Sequence, residues 1–233
     1  NTHRVVVRFQ AFSASMITAG ISGYGLSFFV IPMSEELGVS RAEFSTITLF
    51  RLASLPVIPL LGLLVDNKHG PRLLLTFGSI LAGLTLIATS RVETLWQFFV
   101  VFGVVFSIAV FTMGGQLVGP AVLAKWFIKR RGRVMAISAI GISGGGFVIS
   151  PAAGWFIEHY DWRVAWIFLG ILMIVAITPV GALFMRRQPE DLGMLPDGMS
   201  PEEAASAQSA PGAGILEYSW TRSEAVRTPA MWL

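Results

Sequence analysis

The chain has 233 residues, 54% of them hydrophobic and only 13% charged, with a net charge of +3 and a mean hydropathy of +0.67. Soluble domains carry about a quarter charged residues, so this balance points to a bilayer rather than to water. The absence of cysteine excludes disulfides, thiolate metal sites and thiol nucleophiles. His3, His69 and His159 fall in separate predicted loops, so no metal centre is expected.

Crossing roughly 30 Å of hydrocarbon takes about 20 apolar residues at 1.5 Å each. In chain order, such runs cover 10–33, 44–66, 73–90, 95–124, 133–157 and 162–185. The fold class is therefore all-α, a polytopic membrane helix bundle. The first run is too long for a removable signal peptide, and more spans follow.

Lys and Arg fix the expected orientation. Arg4, Arg8, Lys68, Arg72, Lys125, Lys129, Arg130, Arg131, Arg133, Arg186 and Arg187 lie on one side, against Arg41, Arg91 and Arg163 on the other. The richer side is read as cytoplasmic, with the N-terminus there and Lys129, Arg130, Arg131 and Arg133 as a basic anchor. Localisation in the plasma (inner) membrane is expected.

Within the first span Tyr24, and within the fourth Gln116, are polar side chains where lipid offers no partner. Both are candidate cavity residues, with helix-packing hydrogen bonds as the alternative. Arg51, inside ITLFRLASLPVIPLLG, stands roughly 6 Å to the outer side of the second span's midpoint, where a cation costs about 2.5 to 3.5 kcal/mol. It is the main candidate for a substrate-binding residue. It is expected to attract an anionic substrate or to pair with an acid of a second half; the alternative is a snorkelling arginine that reaches the outer interface or binds Glu43. Gly62, eleven residues on, returns at 100° per residue to within about 20° of the same face.

The stretch GLLVDNKHGPRLLL concentrates charge between two apolar runs. Gly62 allows close backbone approach, and Asp66 sits at the water boundary, where a carboxylate can meet a helix N-terminus or a cation. Gly70 and Pro71 are expected to force the reversal, with Arg72 starting the returning helix. In the fifth span Gly141 and Gly145 permit close helix contact, and Pro151 with Gly154 weakens the ladder so that the helix can bend. Beyond Arg187 the chain turns rich in Pro, Gly, Ala, Ser and acids, a flexible linker over 188–217. Over 218–233, Thr221 and Glu224 form a capping-box pattern, and Met231, Trp232 and Leu233 look like the opening of another span in a truncated chain. The first domain is then 1–187.

Gly62, Leu64, Asp66, Gly70 and Arg72 resemble the G-x-L-x-D-R-x-G-R-R signature of the major facilitator superfamily, with Asn67 at a usual cation position and one extra residue before Gly70. Lys125 to Gly170 is similar to the fifth-helix region of monocarboxylate transporters and oxalate/formate antiporters, as are GYGLSFFVIPMSEELGVSRAEFS from Gly23 and RRQPEDLGMLPDG. Ser150 and Trp155 stand where that group's antiporter motif has glycines, so antiport does not follow.

The resemblance implies the six-helix N-terminal half of a twelve-helix major facilitator fold, built from two inverted three-helix repeats. It implies secondary transport of a small organic anion, monocarboxylate-like, by alternating access, with the 62–72 loop interlocking this half and a C-terminal six-helix half. Whether a proton or a counter-anion is coupled stays open. A drug or sugar carrier, and a non-transporting membrane sensor, are the alternatives. The expected partners are the bilayer, the solute and the second half, with no nucleic acid. No cofactor, metal or catalytic residue is expected, because no span offers a paired-carboxylate, metal or nucleophile constellation.

Overall fold

The computed structural model describes residues 2–65, 67, 69–113, 122–123, 126–127 and 131–185. Gln116, Asp66, Lys129 and Arg130, the linker 188–217 and the Thr221 capping pattern lie outside these residues. Among the described residues the chain is helical, and six helices are long and apolar enough to cross a bilayer: Phe12–Leu37, Arg41–Leu64, Gly70–Thr89, Leu95–Met113, Gly132–His159 and Trp162–Leu183. They are spans one to six below. Every predicted run coincides with one of them; the stretch of the fourth beyond Met113 is not described.

Local chemistry sets the ends. Span one closes at Gly38, whose φ of 66° is left-handed and whose N–H donates to the Ser34 carbonyl. Ser40 then opens span two through a capping box: its hydroxyl accepts the Glu43 N–H, and the Glu43 carboxylate accepts the Ser40 N–H at 2.8 Å. Thr94 and Gln97 repeat that box at the start of span four.

Two spans depart from the simple reading. Span two is not one continuous helix: Ile47–Leu52 is followed by a turn, a 3-10 stretch over Leu55–Val57 with Pro56, and a second helix Ile58–Val65. The 100° per residue relation between Arg51 and Gly62 therefore does not carry across it. Span three already begins at Gly70, with Pro71 in its first turn, so the Gly-Pro pair belongs to the returning helix and that helix starts two residues before Arg72. Span five, by contrast, stays α-helical through Pro151, from Arg131 to His159.

Lipid tails are as apolar as leucine, so close packing and hydrogen bonds hold such helices together. Spans one and five meet through glycine: a Cβ added at Gly141 would lie 2.6 Å from the Phe12 carbonyl oxygen, and one at Gly20 would lie 2.9 Å from that of Gly145. The Ser15 and Ser138 hydroxyls join the same pair at 3.1 Å. Spans three and six come equally close, each of Gly83 and Gly170 facing the other's carbonyl oxygen at 2.6 Å from a would-be Cβ. Spans two and four pack Phe50 on Gly103 and stack Phe50 on Phe99 at 4.4 Å. Exchanging the first three spans for the last three maps the one–five pair onto the four–two pair and the three–six pair onto itself, the pairing expected of two three-helix repeats.

The centre is aromatic. Phe29 stacks on Trp166 at 3.9 Å, Trp166 leans on Phe102 at 5.1 Å, and Phe102 stacks on Phe106 at 4.7 Å. All four are fully buried.

A cation held against a wide helical turn

Spans one and four each leave the α-helical path once, in π-helical segments Gly20–Gly25 and Phe99–Phe106. Arg51 of span two reaches both. One of its terminal nitrogens donates to the Ser22 carbonyl oxygen at 3.0 Å, and its guanidinium carbon lies 5.5 Å from the centroid of the Phe102 ring. A hydrogen bond from a charged group contributes about 1.5 to 3 kcal/mol and a cation–π contact about 0.5 to 2. Together these offset the cost of a cation at this depth.

The alternative partner is otherwise engaged. Glu43 binds the N–H and hydroxyl of Ser40, and Arg51 turns inward to span one rather than outward to it. The guanidinium has five N–H donors. Among the described residues it uses one, and its buried Nε has no partner.

The guanidinium opens on a cavity of about 390 Å³ lined by Ser22, Thr48, Arg51, Phe106, Ser107 and Phe111 among others. A second hollow of about 270 Å³ shares Ser22 and Val110 with it and adds Ser15, Thr18 and Tyr24. A third, about 300 Å³, shares Tyr24 and is walled by Ser143, Gly146 and Phe147. One cation, several hydroxyls and aromatic walls suit a small solute bearing a negative charge. A larger hollow, about 840 Å³, lies elsewhere, against Leu73, Leu74, Phe77, Leu81 and Leu84 of span three. Among the described residues it offers no arginine or lysine to an anionic solute.

Tyr24 is 47% exposed and crosses the face of Gly146, where an added Cβ would lie 3.2 Å from its ring. Arg51 and Tyr24 thus line adjoining hollows joined through Ser22. Gln116 lies outside the described residues. So does Asp66, while Gly62 meets nothing within 4 Å of an added Cβ. Gly70 is buried and Arg72 half-buried at the start of span three. The backbone of Arg131 begins a helix, and Arg133 is exposed.

Four contributors were not anticipated from sequence: the Ser22 carbonyl, Phe102, and the hydroxyls of Thr48 and Ser107. A backbone acceptor leaves no side-chain signal. At the far end of span one, the Glu36 carboxylate accepts from the Trp162 ring N–H and from Arg163, clamping spans one and six. Opposite charges at the ends of those spans were the available signal.

The model of the Major Facilitator Superfamily matches residues 12–233. Over 154 residues the chain is 33% identical to a fujikurins efflux protein of Gibberella fujikuroi, which covers 63% of this chain and 32% of the relative. It is 27% identical to human monocarboxylate transporter 1, over 84% of this chain and 38% of the relative. It is 23% identical to the membrane sensor protein UhpC of Salmonella typhimurium, over 99% of this chain and 54% of the relative. The chain therefore spans a third to about half of the length of these relatives.

Proposed function

From the premise that this chain belongs to the major facilitator superfamily, an integral multi-pass family of transporters, we propose that it serves secondary transport of a small, monocarboxylate-like organic anion. In this reading residues 1–187 are the first of two six-helix halves, 188–217 a cytoplasmic linker, and 218–233 the approach to the next span. The N-terminus faces the cytoplasm and the protein works in the plasma membrane, as a carrier rather than an enzyme.

The observation that carries the reading is the under-satisfied guanidinium of Arg51 on a hydroxyl-lined cavity. A carboxylate would offer it two charged oxygens in place of one neutral carbonyl. Alternating access would then rock this half against its partner about that cavity, with Gly62, Asp66, Gly70 and Arg72 in the cytoplasmic latch and Tyr24 and Gln116 on the pathway. The open space over Gly62 suits a surface that another helix covers. Either a proton or a counter-anion could serve as the coupling partner.

The test is counterflow of labelled pyruvate by the full-length protein in proteoliposomes. Arg51→Gln is expected to lower the rate at least about tenfold, the value of one charged hydrogen bond. An unchanged rate and affinity would sink the reading. Likeness to an efflux protein favours the alternative of a drug or sugar carrier of the same fold, which would show no pyruvate counterflow. Likeness to a sensor over nearly the whole chain supports a receptor, which would bind without counterflow.

A further inference from the structure

The wide turn in span one ends on a glycine and is held from outside. A turn bonded from each residue to the fifth before it is rare and marks functional sites more often than chance. At Gly25 an added Cβ would lie 2.5 Å from the Gly20 carbonyl oxygen, so a larger residue there would crowd this turn. Inside the turn the Ser22 carbonyl takes its hydrogen bond from Arg51, twenty-nine residues on, and a side chain entering the ladder is one established cause of a departure from the α-helix. Arg51 in return is poorly served, with one neutral acceptor and a buried Nε that has none. The same turn presents Ser22, Gly23 and Tyr24 to the cavities.

We propose that the Arg51–Ser22 bond is a catch released by the solute: a carboxylate entering the cavity takes the guanidinium from the Ser22 carbonyl, and Gly20–Gly25 then resets to α-helix. Reabsorbing the surplus residue lengthens span one by about 1.5 Å and re-aims Ser22, Gly23 and Tyr24. Binding is thereby felt as a change of helix geometry rather than of charge alone. A carboxylate displaces the carbonyl because a charge-assisted bond is roughly twice as strong as a neutral one. The catch rests on the anion reading of Arg51.

Full-length protein in lipid nanodiscs, with 3-fluorotyrosine at position 24, tests it by fluorine NMR against pyruvate and its uncharged amide. Pyruvate is expected to move the Tyr24 resonance and the amide to leave it in place. Gly25→Ala, which disfavours the wide turn, is expected to start at the moved position and bind pyruvate at least about threefold tighter, because no state with the competing carbonyl needs to be left. Its counterflow should be slower, since one of the two states is lost. A folded Gly25→Ala protein that matches the parent in resonance, binding and counterflow overturns the catch and leaves the anion site standing. If that variant does not fold, the parent decides: pyruvate that binds without moving the Tyr24 resonance overturns the catch. Pyruvate binding unaffected by Arg51→Gln, or absent from the parent, overturns the anion reading and the catch with it.

Discussion

Spans two and three adjoin in sequence and are built on opposite plans. In span three half of the apolar window is buried, against 17% in span two. Span three lies on span six with backbones in contact at Gly83 and Gly170 and a 2.8 Å hydroxyl bond between Ser79 and Thr178. Span two is broken near Pro56, exposes Leu49, Leu52, Leu60 and Leu63, and holds its cation against a neighbour's backbone. The contrast is that of a strut with the element that carries the proposed catch. Spans three and six leave no room for a side chain between their backbones at Gly83 and Gly170. Span two holds a charge that, on that proposal, a solute draws away from a carbonyl.

Substitutions should therefore split into those that unfold and those that disable. The largest effect is expected from Gly170→Val, whose side chain has no room against the Gly83 carbonyl; overpacking of this kind costs about 1 to 3 kcal/mol or more, and size-exclusion chromatography should show little folded protein. Arg51→Gln should do the reverse, removing transport at least about tenfold with the melting temperature nearly unchanged. An equal loss of melting temperature in both variants would erase the distinction. Gly62→Val, over open space, should leave melting untouched and slow counterflow by less than Arg51→Gln does. Glu36→Gln, at the half-exposed clamp on Trp162 and Arg163, should cost up to about 1 kcal/mol. Ser79→Ala should lose about 0.6 kcal/mol, a melting shift of about 2 °C; a larger shift than Gly170→Val gives would invert the strut's hierarchy.

The spans were legible because an apolar run of bilayer length has few other uses, and the contact at Gly141 and Gly145 because small residues one turn apart admit a backbone. Arg51 stood out by cost alone. Its partner did not, since every residue carries the same carbonyl and only the three-dimensional path of span one brings that of Ser22 to it. The two π-helical segments were equally hidden: GISGYG and FVVFGVVF have compositions that an α-helix also accepts. Pro56 and Pro59 did signal the break in span two, yet a helical wheel drawn through them assumed a continuity that prolines remove. Gly70 and Pro71 misled in the other direction: proline is as much at home in a helix's first turn as in a loop.

That Arg51 is received by a main-chain oxygen also sets what drift and design can reach. No substitution at position 22 other than a change of backbone path deletes the acceptor. The Ser22 side chain, whose hydroxyl is turned back on the Thr18 carbonyl at 2.7 Å, is left free to vary on the cavity wall. In the proposed carrier, alanine, threonine or valine there would retune which solutes fit while the arginine keeps its place, so specificity and machinery could be inherited separately.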